Sequence, residues 1–176
     1  PINSEIMVKI NQEEKIYIRP LELDDAKISY KWRNQDFIWE FTGSRPDREI
    51  TLSMEQDWIN RVLTKRAERR FAICISSTHK YIGNVQLTDI KNGRAEFHIF
   101  IGDAAYWGLG MGERATNLVL RFGIYELNLS EIFLFVNKDN IGAIKLYKKT
   151  GFIIQTEFKT RYRMAFQNPN FFRNDF

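Results

Sequence analysis

Tyr106-Trp107-Gly108-Leu109-Gly110-Met111-Gly112-Glu113 sets three alternating glycines where a predicted strand ending near Gly102 gives way to a long predicted helix. Glycine tolerates positive φ and has no Cβ, so the backbone N–H groups of such a turn can approach a ligand closely. The helix start adds unpaired donors and a partial positive charge. The segment therefore reads as a seat for a phosphate or diphosphate. It is neither a Walker A loop, which needs Lys-Ser/Thr where Glu113-Arg114 stands, nor a Gly-x-Gly-x-x-Gly dinucleotide turn. Read alone, it could equally be a turn that lets a helix pack closely on a sheet.

On either side of this turn the pattern is that of a mixed α/β (α+β) domain around one sheet. A short strand at Ile16–Pro20 precedes a helix over Asp24–Asn34, begun by Asp24 or Asp25, and an irregular stretch from Gln35 to Ile50 broken by Gly43 and Pro46. Met54, Trp58, Ile59 and Val62 predict a second helix from Ser53 to Ala67, with Lys65 and Arg66 in its last turn. Strands follow at Arg70–Ser76, Tyr81–Asp89 and Ala95–Gly102, with Asn92-Gly93 as the hairpin turn of the last pair. A helix over Gly110–Leu127 leads to Glu131–Val136, whose unbroken apolar run predicts a strand covered on both faces. A helix at Asn140–Lys149, stopped by Gly151, and strands at Phe152–Phe158 and Arg161–Phe166 close the pattern.

The 176 residues suit a single domain, 1–176, with its motifs between about 16 and 166. Fourteen Phe, seven Tyr and four Trp supply a core without staples. One cysteine, Cys74, excludes an internal disulfide framework, and it reads as a small core residue; two histidines leave little for a metal site. No stretch approaches the ~18 apolar residues of a membrane span, and Pro1–Gln12 lacks a signal-peptide core, so the expected setting is cytoplasmic, with no membrane partner. A net charge of +4 suits anionic small ligands. The one basic cluster, Lys65–Arg70, is short and interrupted by Glu68, which argues against a nucleic-acid partner.

A second segment, Asn137 to Tyr147, follows the apolar strand. Asn140, Ala143 and Tyr147 share a helix face, offering an amide, a small residue and a phenol that donates its proton at neutral pH. The two segments together resemble the GNAT N-acetyltransferase superfamily: Trp107 to Gly112 is similar to its acyl-CoA diphosphate loop, and Asn140 to Gly151-Phe152 to its Asn-x-x-Ala-x-x-x-Tyr-x-x-x-Gly-Phe signature. Trp107 stands where Gln or Arg is usual; Tyr-Trp-Gly, Trp32-Arg33-Asn34 and Tyr162-Arg163-Met164 resemble the branch containing the Rim-type ribosomal-protein acetyltransferases.

The resemblance implies a mostly antiparallel twisted sheet with helices on both faces, splayed between its fourth and fifth strands at a bulge. Acetyl-CoA (coenzyme A) is the implied cofactor, wedged in the splay. Main-chain groups of Ile99, Phe100 and Ile101 would pair with it, with a strand N–H near Phe100 on the thioester carbonyl. Backbone N–H groups from Gly108 to Gly112 would hold the diphosphate, Asn140 would bind the pantetheine or a nearby backbone, and Trp107, Leu109, Gly110, Met111, Glu113, Asn137, Ala143 and Tyr147 are further cofactor contacts. The implied reaction is direct attack of a primary amine on the thioester, with Tyr147 as acid and no covalent enzyme intermediate. Glu96, acting directly or through water, is the first candidate base and His98 the second, since both alternate onto one face of the fourth strand. Trp32, Arg33, Phe37 and Glu96 are the candidate acceptor contacts, Arg33 suiting an anionic acceptor. A protein N-terminus or the amino group of a nucleotide-linked sugar is the expected acceptor, polyamines fitting less well for want of an acidic run. The alternative is a non-catalytic acyl-CoA-binding module. A homodimer is the expected assembly, with the Phe-rich stretch Phe166–Phe176 docking on its own sheet or on a partner subunit, or remaining mobile.

Overall fold

The computed structural model describes residues 15–42 and 44–168. Gly43, the leader expectation at Pro1–Gln12 and the C-terminal stretch from 169 onward lie outside the described residues. The strands are β1 (Ile16–Pro20), β2 (Arg69–Ile75), β3 (Tyr81–Lys91), β4 (Arg94–Ile101), β5 (Glu131–Asn137), β6 (Ile153–Glu157) and β7 (Arg161–Gln167). The helices are α1 (Ala26–Arg33), α2 (Leu52–Leu63), α3 (Met111–Tyr125) and α4 (Ile141–Thr150). They build one sheet of order β1-β2-β3-β4-β5-β7-β6, antiparallel at every step except β4–β5.

Local chemistry explains the ends. The first helix starts later than Asp24 because Leu23–Asp25 forms a 3-10 turn. There the Asp25 carboxylate accepts the Glu22 N–H at 2.8 Å and both guanidinium arms of Arg19 at 2.8 and 2.7 Å. The second helix begins at Leu52, capped by Thr51, whose side chain accepts the Met54 N–H at 3.2 Å, and it ends at Leu63, before Lys65 and Arg66. Those two cations therefore lie beyond its last turn. Asn92 and Gly93, both at positive φ, make the tight β3–β4 turn as their residue types require.

The sheet separates two cores. Below it, α3 and α4 bury Met111, Ala115, Val119 and Ile144 against Ile73, Val85, Leu87, Phe97, Ile132, Leu134 and Phe152. Above it, α1 and α2 bury Trp32, Ala26 and Ile59 on Ala72, Cys74 and Tyr81. Cys74 is buried, which pushes its thiol up and leaves it a packing residue. Trp32 lies so close over Gly102 that a Cβ there would come within 2.1 Å of the indole. Gly102 is thus required by close packing, with its N–H held on the Ile82 carbonyl at 2.8 Å.

The expectation that β5 is covered on both faces is not met. Ile132, Leu134 and Val136 are buried, but Phe133 and Phe135 belong to neither core, and Phe135 is 37% exposed. Arginines cover these rings instead: Arg163 lies 4.4 Å over Phe133 and Arg161 4.2 Å over Phe135. An unbroken apolar run conceals this because both sides of the strand meet apolar or cation–π partners. Phe166 packs on the lower side, against Phe152 and over Gly151.

Candidate active site

β4 and β5 are joined by only three pairs: Arg94 with Glu131, Ala95 with Ile132 and Glu96 with Phe133. Beyond them β4 stays on β3 as far as Ile101, while β5 stays on β7 as far as Asn137. The sheet therefore forks after Glu96. The β4–β5 pairs show no register shift; the irregularity nearby is in β3, between Thr88 and Lys91, opposite Glu96 and Arg94 on the paired side of the fork.

Which peptide groups face the fork follows from the alternation of an antiparallel ladder. Gly102 donates to Ile82 in β3, and the Phe100 carbonyl oxygen lies so near Gly83 that a Cβ there would come within 2.4 Å of it. Phe100 therefore turns its backbone toward Asn84, its partner in β3. Phe97, Ile99 and Ile101 turn theirs to the fork. The Ile101 carbonyl accepts Trp107 Nε1–H at 2.8 Å. This corrects the expectation for Phe100: its N–H is directed into the β3 ladder, and Ile99 and Ile101 hold the fork-facing donors.

The glycine turn sits at one end of the fork. Gly108 and Gly110 have φ of 70° and 79°, and a Cβ on either would meet nothing within 4 Å. They serve conformation and an open approach. Gly112 serves packing, since its Cβ would come within 2.9 Å of Leu146 Cδ1 on α4. The two readings of the motif are thus divided among its glycines. The first α3 bond runs from the Arg114 N–H to the Gly110 carbonyl at 3.2 Å, so the N–H groups of Met111, Gly112 and Glu113 precede the helical ladder. The Met111 side chain is buried and that of Glu113 pairs with Lys149 at 3.0 Å, so only their backbones serve the turn. Trp107 is 48% exposed, and Phe37 meets it edge-on at 4.8 Å. Leu109 packs against the lower core.

At the other side of the fork, α4 is held by amides. Asn140 Oδ1 accepts the Ala143 N–H at 3.2 Å and Asn137 Oδ1 accepts the Asp139 N–H at 2.8 Å, so both side-chain oxygens fix the strand-to-helix turn. Ala143 packs on the core one turn before Tyr147. The Tyr147 ring lies between Phe97 and Phe152, at 6.1 and 5.7 Å. Burial pushes its phenol up to about 12, so at neutral pH it holds its proton.

Glu96 and His98 lie on the opposite face of β4, the face that carries Phe100 and Trp32. His98 Nε2 is 2.7 Å from Glu96 Oε2 and 3.1 Å from Thr88 Oγ1. The three catalytic candidates are therefore divided by the strand, Tyr147 below and the Glu96–His98 pair above.

Two acceptor candidates are corrected. Trp32 is only 6% exposed and belongs to the core with Tyr81 and Phe100. Arg33 is neutralised: its Nε lies 2.8 Å from Glu55 Oε1 and 2.7 Å from Oε2, and its guanidinium stacks 4.3 Å over Trp58. Glu55, 2% exposed, also accepts the Ser29 hydroxyl at 2.8 Å. Sequence reading missed Glu55, although it shares the buried helix face of Ile59 and Val62; a carboxylate on that apolar stripe was the signal.

With this geometry established, the comparisons place the chain. Residues 15–153 match the family model for the acetyltransferase (GNAT) domain. The chain is 30% identical over 161 residues to the spermidine N(1)-acetyltransferase of Escherichia coli strain K12, covering 90% of this chain and 83% of that protein. It is 33% identical over 145 residues to the probable N-acetyltransferase YjcK of Bacillus subtilis, covering 78% and 80%. The solved spermidine N-acetyltransferase from Vibrio cholerae in complex with CoA and spermine is similar with a TM-score of 0.77 and 26% identity, over 86% of this chain and 95% of that one. The chain belongs to the GNAT family of acetyltransferases. It is an N-acetyltransferase, and its acyl donor is acetyl-CoA.

Removing one partner of a buried ion pair strands the other charge. Glu55→Ala is expected to lower unfolding stability by about 3–5 kcal/mol, read from a urea transition. A loss below about 1 kcal/mol would restore Arg33 as a residue free to recognise an acceptor.

Proposed function

We propose that this enzyme acetylates a primary amine of a small, polyamine-type substrate. The observation that carries this reading is the similarity to a spermidine acetyltransferase over nine-tenths of the chain, together with the shared fold. The pairing of Arg33 with Glu55 supports it, because Arg33 was the cation that suited an anionic acceptor. A missing acidic run is no objection. Glu96 reaches the fork from a strand, where carboxylates need not be consecutive to serve one site.

Acetyl-CoA brings an acetyl group already activated as a thioester. The chain's own part is to hold, orient and move protons. Backbone N–H groups of the Gly108–Glu113 turn suit the diphosphate, since two glycines at positive φ leave the approach open and the start of α3 adds its dipole. Ile99 and Ile101 offer a strand edge to the pantetheine amides. A fork-facing N–H of that edge takes the oxyanion role first assigned near Phe100. Tyr147, still protonated, gives its proton to the departing sulfur.

Two outcomes test this. In a thiol-release assay with acetyl-CoA, spermidine is expected to exceed a nucleotide-linked aminosugar and an N-terminal peptide at least about tenfold in kcat/KM, a difference of ~1.4 kcal/mol. Preference for either of the others would overturn the acceptor assignment. Tyr147→Phe is expected to lower kcat about a hundredfold, with acetyl-CoA affinity within about twofold. Unchanged kcat would remove Tyr147 from the acid role.

A further inference from the structure

Around the upper face of the fork, three carboxylates are held by guanidinium groups and a fourth is not. Glu55 holds Arg33, Glu68 holds Arg70 at 2.8 Å, and Glu131 holds Arg163 at 2.8 Å and approaches Arg94 at 3.9 Å. Each pairs a carboxylate with a guanidinium, a permanent cation. Glu96 alone in this group is paired with an imidazole, a group whose charge ordinarily changes near neutral pH. That imidazole has a definite place. Glu96 is the last β4 residue paired with β5, so His98 is the first residue on the same face beyond the fork. Its side chain is 45% exposed, against 24% for that of Glu96.

We propose that His98 is the base that takes the acceptor's proton, and that Glu96 is its positioning carboxylate. This reverses the order expected from sequence. An ionised carboxylate only accepts hydrogen bonds, so the nitrogen facing Glu96 carries the hydrogen. That nitrogen is Nε2, with Thr88 Oγ1 flanking it at 3.1 Å. In neutral His98 the bare, basic nitrogen is then Nδ1. Glu96 fixes the tautomer and faces the positive charge once Nδ1 is protonated. Arg70 shares this row through Gln86 and is spent on Glu68, while Arg163 from β7 and Arg94 at the start of β4 share Glu131. Tyr147 acts from the opposite face of β4.

The protons balance. A substrate ammonium loses two protons in becoming an amide. His98 Nδ1 takes the first and passes it to water through its exposed side. The nitrogen–carbon bond forms, the carbon–sulfur bond breaks, and Tyr147 gives the sulfur its proton. The second nitrogen proton restores Tyr147. One proton leaves per turnover.

The assignment rests on N-acetyltransferase activity and not on the choice of acceptor, and two readouts separate them. In steady-state kinetics of the full chain, His98→Gln is expected to lower kcat at least about a hundredfold, with KM for acetyl-CoA within about twofold. Glu96→Gln is expected to fall between that variant and the parent. In nitrogen NMR of the free enzyme, which has only two histidines, His98 is expected in the Nε2–H form, and Glu96→Gln is expected to release it into a mixture of tautomers while His79 is unchanged. A His98→Gln enzyme with kcat within about threefold of the parent, or a parent His98 in the Nδ1–H form, would overturn the proposal. A parent that acetylates other amines but not polyamines, with His98 in the Nε2–H form, would tell against the acceptor reading alone and support the pair.

Discussion

The site depends on a strand that loses one neighbour and keeps the other. β4 leaves β5 after three pairs, yet β3 holds it straight to Ile101. An unpaired strand edge inside a sheet would ordinarily attract another chain or cost the hydrogen bonds it lacks. Here the edge opens into the fork, and at its end the indole N–H of Trp107 caps the Ile101 carbonyl. What remains open is short and of fixed register, a form that an amide-bearing ligand can complete. The glycine turn and the start of α3 stand at the end of that edge, so a ligand anchored there by its anionic part is led along β4.

The same strand divides the chemistry. Alternation puts Phe97 below the sheet, where it helps to bury Tyr147, and Glu96 and His98 above it, where solvent reaches. A phenol that must keep its proton benefits from burial, and groups that exchange protons with an incoming amine benefit from exposure. One β-strand supplies both environments on adjacent residues. The other carboxylates around the upper face are each held by an arginine, which leaves the Glu96–His98 pair as the group able to respond to an acceptor.

Much of this was legible in the residues. Asn92-Gly93 announced its hairpin, the Asn140 to Gly151 spacing its helix, and the alternating glycines the turn before α3, because each depends on local backbone chemistry. Three features were not legible for physical reasons. An apolar run has no periodicity, so Ile132–Val136 could not reveal that Phe133 and Phe135 meet arginines from β7 rather than a helix. Arg33 looked available because its partner Glu55 lies on another helix. The phase of the β4 peptide groups, which turns Phe100 away and Ile99 toward the fork, is set by pairing with β3 and is invisible in β4 alone.

That phase is the most exposed part of the account, and backbone amide exchange reads it directly. With coenzyme A at saturation, the amides of Ile99 and Ile101 are expected to exchange at least about tenfold more slowly than in the free enzyme, while Phe100, already bonded toward β3, changes little. Protection gained at Phe100 with none at Ile99 or Ile101 would contradict the fork as the place where the acyl carrier is held.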